Sequence, residues 1–203
     1  MARAAPRTEL PAAWGAYYRE AWQRGPTRLV RGALRSVRVP GGRRPRHALD
    51  LGCGVGQDAI YLAGRGFEVL AIDQHPGALG FLRDLAVPGV RCRRADLARV
   101  RPPAGQYDLV HAALSLPFVG QRQLPITMRR IARALRPGGV LSCHLFGVRH
   151  LWNRPRSGLA FVTRDELHEL LAGFRIVSLL ERQPRPADHW PHHLFEIVAR
   201  RRD

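Results

Sequence analysis

The chain has 203 residues, 45% of them hydrophobic, which suits one domain with its own core and excludes a disordered or fibrous class. Its longest apolar runs, such as Ala112–Leu116, are too short to span a bilayer, and the Ala/Arg/Pro opening lacks the apolar stretch of a secretory signal, so a soluble cytoplasmic protein is expected. The formal charge of +17 would suit an acidic partner, but the chain has no Lys, and its Arg clusters at Gly42–Arg46, Arg91–Arg94 and Arg200–Arg202 are short and scattered, without the aromatic-studded stripe of a single-strand binder.

Along the chain, Pro11–Arg38 reads as two helices broken near Gly25–Pro26, with Trp14, Tyr18 and Trp22 recurring at i+4 as an aromatic stripe. Gly41–Arg46 is a polar loop. A regular alternation follows: strand His47–Leu51, helix Gln57–Ala63, strand Phe67–Ile72, helix Pro76–Leu85, and strands Val90–Arg94 and Tyr107–Ala113. Arg122–Leu135 has helical periodicity and stops at Pro137-Gly138-Gly139, ahead of strand Val140–Phe146. Gly147–Phe161 is irregular. Thr163 and Glu166 form a capping box that opens a helix to about Ala172, and strands Phe174–Glu181 and His193–Arg200 close the chain around a Pro-rich loop.

Strands that alternate with helices imply a parallel α/β sheet. The last two strands have no helix between them, so one of them runs antiparallel. Residues 1–46 are expected to be a helical cap and linker of the same domain as residues 47–203. The cysteines Cys53, Cys92 and Cys143 form no CxxC pair and are expected to be buried thiols, with no metal site.

The strongest local signal is Ala48-Leu49-Asp50-Leu51-Gly52-Cys53-Gly54-Val55-Gly56, where a strand enters a glycine turn and a helix leaves. Open α/β sheets bind ligands at that end of the strand. The spacing departs from the dinucleotide pattern, because Gln57 stands where its third glycine would fall, and no Gly-Lys-Ser/Thr follows for a phosphate loop.

The D-x-G-x-G-x-G form resembles motif I of the class I S-adenosylmethionine (SAM)-dependent methyltransferases, and the resemblance extends over roughly residues 47–200. It implies a Rossmann-like, seven-stranded, mostly parallel sheet of order 3-2-1-4-5-7-6 with one antiparallel strand. It also implies SAM as cofactor, with S-adenosylhomocysteine as product. On this resemblance Asp50, Gly52, Gly54 and Gly56 form the cofactor loop. Asp73, with its neighbour Gln74, takes the ribose hydroxyls, since a carboxylate can accept two hydrogen bonds at once. Asp96 and its neighbour Leu97 take the adenine, and Ser115 with Leu116-Pro117-Phe118 lies beside the sulfonium. Arg136-Pro137-Gly138-Gly139 matches the family's helix-to-strand turn.

The N-terminal helix resembles the cap of the thiopurine and tellurite-resistance type, in which Trp14 and Tyr18 would cover the cofactor; an amphipathic helix packed on the sheet is the alternative. A small-molecule acceptor is therefore expected, with nucleic acid less favoured. Transfer from an activated sulfonium needs mainly alignment, and a general base only for a protonated acceptor. His144, late in the fifth strand, and His189, in the terminal hairpin loop, are the candidates for that base. His111 reads as a core histidine. Three alternatives stay open: an RNA or protein methyltransferase, although Leu114–Phe118 lacks the Asn/Asp-Pro-Pro-Tyr of base-amino enzymes; a non-catalytic SAM-binding module; and another SAM-dependent reaction such as a cyclisation.

Overall fold

The computed structural model describes residues 22–23, 25–38, 45–183 and 193–202. Its centre is a mixed sheet of β1 (Arg46–Leu51), β2 (Phe67–Asp73), β3 (Val90–Arg94), β4 (Tyr107–Ala112), β5 (Leu135–Gly147), β6 (Phe161–Val162), β7 (Phe174–Arg182) and β8 (Leu194–Arg201). The helices are α1 (Arg28–Leu34), α2 (Gln57–Ala63), α3 (Pro76–Asp84), α4 (Leu124–Ala134) and α5 (Arg164–Leu170), with a 3₁₀ turn at Leu116–Val119.

The strand order is β3-β2-β1-β4-β5-β8-β7, with β6 paired to the far end of β5. Only β8 runs against its neighbours, β5 and β7. This is the expected topology with one strand added: the two-residue β6 is too short to leave any periodic trace in the sequence. Strand β5 begins earlier than expected. Tyr107 pairs with Leu135 and Leu109 with Val140, so Pro137-Gly138-Gly139 loops out within the strand at Gly138, whose φ is +71°.

Side chains alternate across the sheet, and the two faces bury different helices. Ala48, Val69, Leu109, Val140 and Val198 face Leu29, Val30 and Ala33 of α1, Ala59 and Leu62 of α2, and Leu79 and Leu82 of α3. Leu49, Val110, Leu141, Phe195 and Ile197 face Leu124, Met128 and Ile131 of α4 and Leu167 of α5. Thr27 caps α1 by accepting the Val30 N–H at 3.2 Å, and the Thr163–Glu166 capping box of α5 is present in full. Of the first helix expected within Pro11–Arg38 only Trp22 and Gln23 lie among the described residues, and Trp22 meets Phe81 of α3 edge-on with ring centroids 4.9 Å apart. Among the described residues no helix is long and apolar enough to cross a membrane.

Candidate functional site

The loops that follow β1, β2, β3 and β4 converge at the carboxyl end of the sheet, as parallel pairing of these strands requires. Gly52, Gly54 and Gly56 all have left-handed φ values of +76°, +54° and +86°. That conformation is costly for any residue with a Cβ. Space adds a second demand. A Cβ on Gly52 would sit 2.3 Å from Ser115 Cβ and 3.5 Å from Leu97 Cδ1, and one on Gly56 would sit 2.5 Å from Leu82 of α3. At Gly52 and Gly56 the space that a Cβ would need is taken by protein, and the bare backbone lets Ser115, Leu97 and α3 close around the loop.

Asp73, at the end of β2, is buried and tied to the loop: Oδ2 accepts the Gly54 N–H and Oδ1 the His75 N–H, each at 2.8 Å. A carboxylate has about four acceptor positions, so about two remain for incoming hydroxyls. Gln74 beside it is exposed, and its carbonyl accepts from Arg94 Nε at 3.2 Å. Asp96 is half-buried; its Oδ1 accepts the Ala98 N–H at 2.9 Å, which closes a turn after β3. Ser115 is buried and donates to the Leu51 carbonyl at 2.5 Å, locking the turn after β4 against the end of β1.

Asp50 lies beneath the loop with 2% exposure, and its Oδ2 has no hydrogen-bond partner among the described residues. Burial pushes its pKa up to about 7, against the pull of His111 and with the repulsion of Asp58 and Asp73. A buried acceptor of this kind, next to a left-handed loop and a half-satisfied Asp73, fits a polar, cationic group such as the ammonium of SAM.

His144 is placed differently from a free base. Its Nδ1 accepts the Leu114 N–H at 3.3 Å and its Nε2 faces Glu196 Oε2 at 3.5 Å, so both ring nitrogens point at protein. Burial holds its pKa below the ordinary histidine value despite Glu196, which favours the neutral ring. The ring thereby supports Leu114, whose φ of +52° is strained for a leucine and which directly precedes Ser115. His111 is a core histidine, fully buried, with Nδ1 2.8 Å from Ser142 Oγ and Nε2 2.7 Å from Asp58 Oδ2. His193 is buried, with Nε2 2.9 Å from Glu181 Oε1. Trp14, Tyr18 and His189 lie outside the described residues.

Sequence reasoning did not find the Asp58–His111–Ser142 network, the strained Leu114, or the aromatic group of Phe118, Phe146, His150, Trp152 and Phe161 beyond β4 and β5. Of the cysteines, Cys53 and Cys143 are buried and Cys92 half-buried, and burial raises the Cys143 thiol to about 12.

Residues 48–139 match a family described as a methyltransferase domain. A trans-aconitate 2-methyltransferase of Delftia acidovorans is 36% identical over 104 residues, covering 49% of this chain and 38% of that protein. The chain spans less than half the length of curated relatives of this kind. Among solved structures, TehB of Haemophilus influenzae superposes with a TM-score of 0.67 at 18% identity, over 86% of this chain and 61% of that one. A Burkholderia thailandensis 1,6-didemethyltoxoflavin N1-methyltransferase, solved with its acceptor and S-adenosylhomocysteine bound, superposes with a TM-score of 0.66 at 23% identity, over 100% of this chain and 93% of that one.

Proposed function

We propose that this chain, whose residues 48–139 match a methyltransferase domain, is a class I SAM-dependent methyltransferase that methylates a small-molecule acceptor by in-line displacement. The observation that carries the reading is Asp73, buried at the end of β2, bound to Gly54 of the glycine loop and retaining free acceptor positions. SAM, when bound, supplies a methyl group already activated by a sulfonium.

The chain's own part is binding, orientation and exclusion of water. Asp73 and Gln74 hold the ribose, and Asp96 and Leu97 the adenine. Asp50, with Gly52, Gly54 and Gly56, holds the amino-acid end. Ser115, fixed to Leu51 and set by Leu114, lines the reacting side. His144 acts through Leu114 as a positioning residue, and any proton removal from the acceptor falls to His189 or to solvent. Residues 1–46 cap the same domain, with Trp14 and Tyr18 over the site; Trp22 against Phe81 and Thr27 against Asp58 hold the described part of that cap in place.

A small acceptor is supported by the trans-aconitate and toxoflavin enzymes among the similar proteins. The charge of +17 favours one second reading, RNA as acceptor. Incubation with radiolabelled SAM and fractionated cell extract separates the two. Label in the low-mass fraction supports the proposal. Label confined to RNA or protein, or bound cofactor with no transfer to any fraction, contradicts it.

A further inference from the structure

Beyond the carboxyl ends of β4 and β5, a cavity of about 630 Å³ opens between the Leu116–Val119 turn, the loop 148–161 and the start of α5. Its floor is apolar, made by Val119, Val148, Leu159 and Phe161, and three arginines, Arg122, Arg154 and Arg156, stand on its wall. Acids neutralise some arginines elsewhere: Asp108 pairs with Arg136, Glu181 with Arg149 and Arg164, and Glu196 with Arg182. Among the described residues, none of the three cavity arginines has an ion-pair partner. Glu166 also lines the cavity, but its Oε2 accepts the Thr163 N–H at 2.7 Å in the cap of α5.

The wall is built rather than loose. Arg154 Nε donates to the Leu151 carbonyl at 3.3 Å, which anchors the side chain and leaves its terminal nitrogens as donors. Arg156 has a left-handed φ of +64°, a strained conformation kept where the surroundings over-determine it. The loop is drawn onto the turn after β4: Ala160 N–H donates to the Pro117 carbonyl at 2.8 Å, and a Cβ on Gly120 would lie 3.2 Å from the Gly158 carbonyl. Behind the floor, Phe161 stacks on Phe146, which stacks on His150 at 4.1 Å, so the apolar surface is backed by fixed rings. The same short turn carries Ser115 just before its start and Val119 on the cavity, so one turn after β4 contributes a residue to each.

We propose that this cavity binds the acidic end of the methyl acceptor, a small organic anion whose apolar body lies on Phe161 and Val148. The inference rests on the methyltransferase reading for the word acceptor; the anion site itself does not. Guanidinium groups bind carboxylates and phosphates in forked pairs, and an apolar floor selects an organic acid over a bare polymer backbone.

Calorimetric titration of citrate and of inorganic phosphate tests this on three proteins: wild type, Arg154→Gln/Arg156→Gln, and Arg91→Gln/Arg93→Gln on the exposed edge strand β3. S-adenosylhomocysteine affinity is measured on each. The proposal expects at least one anion to lose about tenfold or more in affinity in the Arg154/Arg156 variant and to stay within about twofold in the β3 variant. S-adenosylhomocysteine binding should not change. Tighter citrate binding assigns a carboxylate, tighter phosphate binding a phosphate monoester. Equal losses in both variants, no difference from wild type for either anion, or displacement of the anion by a short RNA oligomer at lower concentration overturns it. Wild type that binds the anion through these arginines but not S-adenosylhomocysteine contradicts the methyltransferase reading and leaves an anion site without an acceptor role.

Discussion

Nε2 of His111 lies 2.7 Å from Oδ2 of Asp58, and the pair joins a central strand to the helix that leaves the glycine loop. Asp58 also accepts the Thr27 N–H at 2.7 Å and the Thr27 hydroxyl at 2.8 Å, so one buried carboxylate ties α1, α2 and β4 together. Burial pushes each partner towards its neutral form, yet their mutual hydrogen bond and charge prevail, raising the pKa of His111 and lowering that of Asp58.

Asp58→Ala should therefore cost about 3 kcal/mol in urea unfolding, because it strands a buried imidazole and the Thr27 donors. The sign of the pH dependence follows from the two shifts. The His111 contribution is complete below the ordinary histidine value near 6.5 and is lost as pH rises through the raised folded value. The Asp58 contribution is present above 3.8 and is lost as pH falls through the lowered folded value. The gap in stability between wild type and Asp58→Ala should thus be widest in mildly acidic solution and narrow at alkaline pH. A gap independent of pH would mean that the pair is not ionised.

Asp50 behaves in the opposite way. Its pKa rises from 3.8 to about 7, so ionising it in the folded chain costs stability progressively through that window, to a total of about 4 kcal/mol. Asp50→Asn should stabilise the ligand-free protein at pH 8, by roughly 1–3 kcal/mol once imperfect amide hydrogen bonding is allowed for, and do little at pH 4. The same variant should bind S-adenosylhomocysteine more weakly, as expected where stability has been given up at a binding site. Unfolding curves at the two pH values, with calorimetry alongside, check both halves.

How far the sequence reached depends on the range of the physics involved. The succession of strands and helices, the glycine loop and the Thr163 capping box were legible because each rests on local rules: side-chain periodicity, left-handed turns and a cap four residues long. Strand order came instead from the resemblance to the methyltransferase family, since pairing between distant strands leaves no local trace. His111 could be recognised as a core residue from its place in an apolar strand. Its partner could not, because Asp58 is 53 positions away and no local pattern marks the pairing. Nor does anything in Leu114 announce a left-handed backbone, which the turn against Ser115 and His144 imposes on it. The loop 148–161 has no periodicity, so neither its rings nor its arginines could be placed against Val119 and Gly120. The glycines were found for the right turn, but only the folded chain shows that Ser115 and Leu82 occupy the space beside Gly52 and Gly56.

That packing makes its own prediction. Gly52→Ala would combine a φ of +76° with a Cβ 2.3 Å from that of Ser115, and should destabilise by about 2–4 kcal/mol. Adding Ser115→Gly removes the clash but not the backbone strain, so it should recover part of the loss. Denaturation midpoints of the single and double variants measure this. A single variant as stable as wild type would show that the loop is loosely packed.

We expect Asp73 and the glycine loop to hold S-adenosylmethionine and its product. Calorimetric titration of S-adenosylhomocysteine into wild type and Asp73→Ala, with NADH as the control ligand, checks this. Wild type should bind S-adenosylhomocysteine and not NADH. Asp73→Ala, verified as folded because it also loses the Gly54 and His75 contacts, should bind more weakly by about 2–3 kcal/mol, or roughly 30- to 150-fold. Tight NADH binding without S-adenosylhomocysteine binding, or an unchanged affinity in the folded variant, would contradict the account.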